Sequence, residues 1–279
     1  GAGSCPINTG HLREKATYHA YNMMGVSKVP PTVTRSHEGL PVSVQQWSET
    51  KTPILAGITM GKFGSVEHLP KYKDGNPIIG NETAFILSSI KEPERKEKLI
   101  ASMKEGVAMA ILTNHNDQHY GNVMIGDDMS LSFIDNTTCL GYGMFGTKVQ
   151  MHEEMSRMGM KVDVPDHLME RFKTTTLGDI ERGIGKHTED WAVGQTFLRM
   201  KYMVHLQETE GHLDYEKFRP TIRAGANNEV LNKISEKHKN AGDPHQALFY
   251  KQAQGTPRGG FWHGSDSEIQ DEYDNRKAN

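Results

Sequence analysis

The chain has 279 residues, enough for one large domain or two modest ones with a real core. Hydrophobic residues make up 35% of it and the mean hydropathy is −0.63, which predicts long polar loops or a loosely ordered tail around a moderate core. The formal net charge of −3, from 32 basic and 35 acidic residues, gives no electrostatic footprint for nucleic acid or an anionic membrane, although a local patch can hide in a neutral total.

The two cysteines, Cys5 and Cys139, have no paired spacing that points to a zinc site or a disulfide framework. A reducing compartment fits, so the expected location is a cytoplasm, its own or a host's into which it is delivered. No apolar run approaches the roughly 20 residues that span a bilayer, so no transmembrane segment is expected. Gly1-Ala2-Gly3-Ser4 lacks a basic region ahead of an apolar stretch and does not read as a signal peptide. With no initiator Met, these residues read as an expression scar or an end left by processing, the natural protein beginning further upstream.

The first expected element is a helix from Leu12 to Met24, with Leu12, Ala16, Ala20, Met23 and Met24 on a partly apolar face and Gly25 as its stop. Pro30-Pro31 ends any helix, and the β-branched Thr32-Val33-Thr34 reads as a strand. A turn at Glu38-Gly39-Leu40-Pro41 and an alternating stretch from Val42 to Trp47 complete a hairpin. Residues 48–80 are rich in Gly, Lys and Pro and read as a linker with short local elements. Helices are expected from Asn81 and from about Glu94 to Leu112, the second with Leu99, Met103, Val107, Ala110 and Ile111 on one face. Lys91 to Lys98 reads as a solvated mixed-charge face.

Next come a polar loop, Asn114 to Asn122, a strand Val123-Met124-Ile125, a turn at Gly126-Asp127-Asp128 and a strand Leu131-Ser132-Phe133-Ile134 that ends at Asp135. A hairpin brings its ends together and so places Asn122 near Asp135. Beyond Gly146 helices are expected over about 166–174, 177–183, 189–209, 214–221 and 228–239. Met151, Met155, Met158 and Met160 read as helix core. From about Gly242 the chain turns polar and Gly-rich. The expected division is 1–50, 51–241 and a partly disordered tail, 242–279.

One constellation carries chemistry. Phosphoryl transfer needs a carboxylate to orient and deprotonate the attacking hydroxyl, and oxygen ligands to hold magnesium against nucleotide phosphates. The loop offers Asp117 and, five residues on, Asn122; the hairpin returns Asp135 to the same end. The cluster is too poor in thiol and imidazole for zinc. Asp, Asn and Gly also build plain surface turns, and the order, spacing and preceding helix weigh against that reading. His115 reads as structural or solvated, and Cys139 as a buried small residue.

Asp117-Gln118-His119-Tyr120-Gly121-Asn122 resembles the Asp-Arg-His-x-x-Asn catalytic loop of phosphatidylinositol 3- and 4-kinases and their protein-kinase relatives. Phe133-Ile134-Asp135 is similar to the metal-binding motif of the same superfamily. The resemblance implies an α+β, protein-kinase-like two-lobed fold, with a reduced or truncated upper lobe over a larger, mainly helical lower lobe. It implies ATP and Mg²⁺ as cofactors, Asp117 as catalytic base, His119 as a transition-state or proton-relay partner, and Asn122 and Asp135 as magnesium ligands. Arg13 to Tyr18, Gly25 and Val29 to Val33 are similar to a stretch of bacterial kinase-like proteins. That likeness makes Glu14 the helix glutamate that pairs with a phosphate-binding Lys, and lines the adenine site with Val44 to Trp47. The backbone of Gln45, Gln46 and Trp47 then bonds the base.

The sequence departs from the pattern. Gln118 stands for the usual Arg, and Asn136 for the Phe of eukaryotic members. No Lys or glycine-rich phosphate loop precedes Glu14, so an upstream segment, a partner chain or the stretch Gly255 to Gly264 is expected to complete the upper lobe. A protein acceptor is expected over a lipid, since no basic or amphipathic membrane face is present. Two alternatives remain: a kinase-like binding module without catalysis, and nucleotidyl transfer on the same fold.

Overall fold

A computed structural model describes residues 10–46, 51–65, 80–115, 117–140, 149–188 and 190–215. The expected helices over 214–221 and 228–239, the tail and Trp47 lie outside them, apart from residues 214 and 215. Among the described residues the fold is α+β, with eight α-helices and two small antiparallel sheets.

Helix α1 (Gly10–Met23) buries Ala16, Ala20 and Tyr21. Strands β1 (Thr32–His37) and β2 (Leu40–Gln45) form a hairpin in the register Thr32↔Gln45 to His37↔Leu40. Its two turn residues, Glu38 (φ 51°) and Gly39 (φ 79°), both adopt the left-handed conformation that matches strand twist.

Two short elements fall where a linker with short local elements was expected. Strand β3 (Lys51–Pro53) and helix α2 (Ile54–Thr59) fall within 48–80. With three residues, β3 is too short to show a period, and its order comes from pairing with β4 (Val123–Gly126). Strand β4 pairs in turn with β5 (Leu131–Phe133), in the register Val123↔Phe133, Met124↔Ser132 and Ile125↔Leu131. Every residue of β4 and β5 is buried.

Helix α3 (Glu82–Ser89) starts where the Asn81 side chain accepts the Ala84 N–H at 2.7 Å. Helix α4 (Pro93–Leu112) starts on a proline, whose fixed φ suits the first turn. Within it, Gly106 admits the Phe133 ring of β5, since a Cβ there would lie inside van der Waals contact of the ring. The buried faces of α4 and β5 therefore meet directly.

Helix α5 (Gln150–Arg157) was legible only in its methionines: Met151 and Met155 are fully buried, whereas Met158 is 40% exposed. Helices α6 (Asp166–Thr174), α7 (Leu177–Ile184) and α8 (Asp190–Glu210) lie where periodicity places them. A capping box, Thr176 with Asp179, starts α7. From α8 the fully buried Arg199 reaches across to donate its Nε–H to the carbonyl of Leu112, the last residue of α4, at 2.8 Å. A cation there answers the negative end of the helix. None of the described helices is long and apolar enough to cross a membrane.

Candidate phosphotransfer site

Helix α4 does not fade into the loop; it is turned. The His115 N–H bonds to the Ala110 carbonyl at 2.9 Å and the Asn114 N–H to that of Ile111 at 3.1 Å, with Asn114 left-handed at φ 49°. This is a Schellman ending, with Asn in place of the commoner Gly. It redirects the chain toward Asp117.

From Asp117 to Tyr120 the side chains alternate. Asp117 and His119 are exposed; Gln118 and Tyr120 are buried. Gln118 caps α5: its side-chain oxygen accepts the Met151 N–H and its carbonyl accepts the Gln150 N–H, each at 3.3 Å. These first-turn donors have no partner inside their own helix. Gln118 is thus a structural anchor. Tyr120 is held through its hydroxyl on Thr83 of α3.

His119 Nδ1 accepts the Gly121 N–H at 3.0 Å and so starts the single 3₁₀ turn Tyr120–Asn122. An accepting Nδ1 leaves the ring proton on Nε2. That nitrogen lies 3.7 Å from Asp117 Oδ1, with both side chains about half exposed at 47% and 52%. Asn122 donates its side-chain N–H to the Asp117 carbonyl at 3.1 Å, and its own carbonyl accepts the Ile134 N–H at 3.0 Å. The expected juxtaposition therefore holds: Asn122 and Asp135 flank one end of the β4–β5 hairpin, with Asp117 and His119 alongside.

Asp135 takes the left-handed conformation at φ 54° and accepts the Thr137 hydroxyl at 2.9 Å through Oδ1. Such a backbone on a non-glycine residue persists only where its surroundings enforce it. The enforcement is visible next door in Asn136, which is fully buried. Its backbone N–H donates to Glu14 Oε1 at 2.6 Å, and its side-chain N–H reaches Glu14 Oε2 and the Phe133 carbonyl, each at 3.3 Å. Gln45 completes the cluster by donating to Glu14 Oε2 at 2.8 Å and to Thr32 Oγ1 at 3.2 Å.

Glu14 is 3% exposed, not the solvated helix residue that its sequence context allows. Burial, and secondarily the Asp135 carboxylate, push its pKa up to about 7, while the Asn136 hydrogen bonds pull the other way. No described Lys, Arg or His forms an ion pair with it. The buried lysine of this part of the fold is Lys28, which pairs with Glu105 at 2.9 Å and donates to Ser102 at 2.5 Å. The N–H of Gln46 is committed to the Pro31 carbonyl at 3.0 Å and is not open to a base.

The donor set suits magnesium. With its amide N–H on the Asp117 carbonyl, Asn122 keeps its side-chain oxygen for another partner, and Asp135 keeps Oδ2. Two hard oxygens beside a nucleotide's phosphates are what Mg²⁺ takes from a protein. No group of three His, Cys, Asp or Glu able to hold a metal occurs among the described residues. His115, which reads in the sequence as structural or solvated, is a buried residue. It is 1% exposed beneath Asp135, and burial brings its pKa down to about 4. Cys139 is buried, with its thiol pushed well up by burial, as expected for an inert residue.

No protein-family model matches the chain, and no curated protein matches it.

Proposed function

We propose that this chain is an ATP- and Mg²⁺-dependent phosphotransferase, or the metal- and acceptor-binding part of one, on a kinase-like two-lobed plan. In this reading α1 and the β1–β2 hairpin are the reduced upper lobe, and the elements from β3 to α8 are the lower lobe. The observation that carries it is the convergence of Asn122 and Asp135 at one hairpin end, beside an exposed Asp117–His119 pair.

Asp117 accepts the hydrogen bond of the incoming hydroxyl, orients it, and takes its proton as the bond to the γ-phosphorus forms and the bond from that phosphorus to the departing ADP breaks. His119, with its proton on Nε2, faces that carboxylate and steadies its charge. Asn122 and Asp135 would hold a magnesium ion, which would supply charge neutralisation to the nucleotide phosphates. The acceptor is a protein hydroxyl, consistent with two half-exposed side chains rather than an apolar cleft.

A second reading, a kinase-like binding module without turnover, is favoured by one observation: Glu14 has no cationic partner among the described residues. The test is phosphate transfer and ATP hydrolysis by the full chain and by Asp135→Ala, alongside thermal melts with ATP and Mg²⁺. Activity lost with Asp135→Ala supports the enzyme. A ligand-induced rise in melting temperature without turnover supports the binding module. Activity equal to the parent's in Asp135→Ala removes Asp135 from the metal site.

A further inference from the structure

His115 presents an unusual combination. The side chain is 1% exposed, and among the described residues neither ring nitrogen has a hydrogen-bond partner. Buried polar atoms in folded proteins are almost always bonded, so a pair of orphaned nitrogens calls for an explanation. The ring does not face a featureless apolar wall. Its polar neighbours are the backbone and carboxylate of Asp135, and then His119. The Asp135 backbone is beside the ring without a formed hydrogen bond to it.

Position adds to this. His115 follows the left-handed Asn114, and its own N–H is fixed to Ala110, so it belongs to the rigid end of α4. Asp135 is itself left-handed and gripped from the α1 side through Asn136 and Glu14. Asp135 thus has a gripped residue, Asn136, next in the chain and an unsatisfied imidazole among its neighbours. A phenyl ring would fill the same space without burying two unpaired nitrogens. The imidazole is explained if it bonds in a state of the loop in which Asp135 moves slightly toward it.

We propose that His115 is a positioning residue for the metal site: a ring N–H closes on the Asp135 carbonyl and aims the Asp135 carboxylate at the cation shared with Asn122. This rests on the reading of Asp135 as a metal ligand. His115 touches neither substrate nor metal, and acts through Asp135. Residues that orient a ligand from behind typically change metal affinity by about 10- to 100-fold.

The experiment is a Mn²⁺ titration followed by electron paramagnetic resonance, using the full chain, His115→Phe, His115→Gln and His115→Asn. Melting temperatures are taken without metal. His115→Phe is expected to weaken Mn²⁺ about tenfold while melting no lower than the parent. Gln places an N–H where Nε2 stands and Asn where Nδ1 stands, so one of the two restores affinity to within about threefold and identifies the nitrogen. Parent-like affinity in His115→Phe overturns the proposal and leaves the proposed function intact. Weaker binding that tracks a fall in metal-free melting temperature, with no rescue by Gln or Asn, marks a merely structural role and overturns it too. A parent that binds no Mn²⁺ overturns the metal site itself, and this inference with it.

Discussion

The backbone N–H of Asn136 donates to Glu14 Oε1 at 2.6 Å, joining two residues 122 positions apart in the chain. One end of the bond is in α1, the other beside the proposed metal ligand. Removing the acceptor should therefore do more than loosen a helix. Glu14→Ala leaves the buried Asn136 N–H unsatisfied, at a cost of about 1–3 kcal/mol. The expected outcome is a lower urea midpoint together with weaker Mg²⁺·ATP binding. A midpoint that falls with binding unchanged would show that α1 does not support Asp135.

The same carboxyl sets a pH dependence. Glu14 and Glu82 both have pKa values raised from 4.5 to about 7, each chiefly by burial, with the neighbouring Glu154 adding to the rise at Glu82. A carboxyl raised by folding binds its proton more tightly in the folded chain. Its contribution to stability is complete below about pH 4.5, declines as pH climbs toward 7, and is lost above. Buried His115 and His152 and half-buried His187, each held down to about 4 chiefly by burial, act in the opposite sense over the same window, so the readout is the difference between parent and variant and not the parent's own slope. Glu14→Gln should remove Glu14's share of this pH dependence, so that in urea denaturation its stability relative to the parent rises from pH 5 to pH 8. A stability difference between Glu14→Gln and the parent that stays constant from pH 5 to pH 8 would contradict the assignment.

Asp117 and Asp135 should fail differently. Asp117→Asn keeps the shape and removes the base, so phosphate transfer should drop by about 10²–10⁴-fold in kcat with little change in KM for ATP. Asp135→Ala should raise the Mg²⁺ concentration needed for half-maximal rate as well as lower kcat. Steady-state kinetics over a magnesium series separates the two, and identical profiles would remove the distinction in roles.

Two packing changes test what holds the loop. Gly106→Ala pushes a methyl into the Phe133 ring, an overpacking expected to cost about 1–3 kcal/mol. Adding Phe133→Leu should recover part of it, an interaction readable in a double-mutant cycle. Arg199→Met leaves the Leu112 carbonyl without its buried donor and should cost about 1–3 kcal/mol, with no direct contact to the site. Additive behaviour of Gly106→Ala and Phe133→Leu would indicate that the ring and the helix do not press on each other.

Much of this was legible before any coordinates. The period of α4, the turn at Gly126-Asp127-Asp128 and the short apolar runs around it are strong local signals, and a hairpin has only one way to bring Asn122 beside Asp135. Other parts had no local signal. Strand β3 is three residues long and exists by pairing with β4. Helix α5 is eight residues, and the acceptor that caps it, Gln118, lies far upstream in sequence. Glu14 and Asn136 could each be singled out, one as a possible partner of lysine and the other as a departure from Phe. Their bond to one another is a tertiary fact, as is the reach of Arg199 from α8 to the end of α4.

The alternation along Asp117, Gln118, His119 and Tyr120 has a practical corollary for protein engineering. Only every second position of this loop is open to redesign, because the others are fastened to α5 and α3. A graft of the six residues from Asp117 to Asn122 onto a foreign scaffold would arrive without its moorings. The smallest portable unit includes the closing turn of α4, the β4–β5 hairpin and the opening turn of α5. A library aimed at a new acceptor should vary Asp117's and His119's surroundings while leaving Gln118 and Tyr120 fixed.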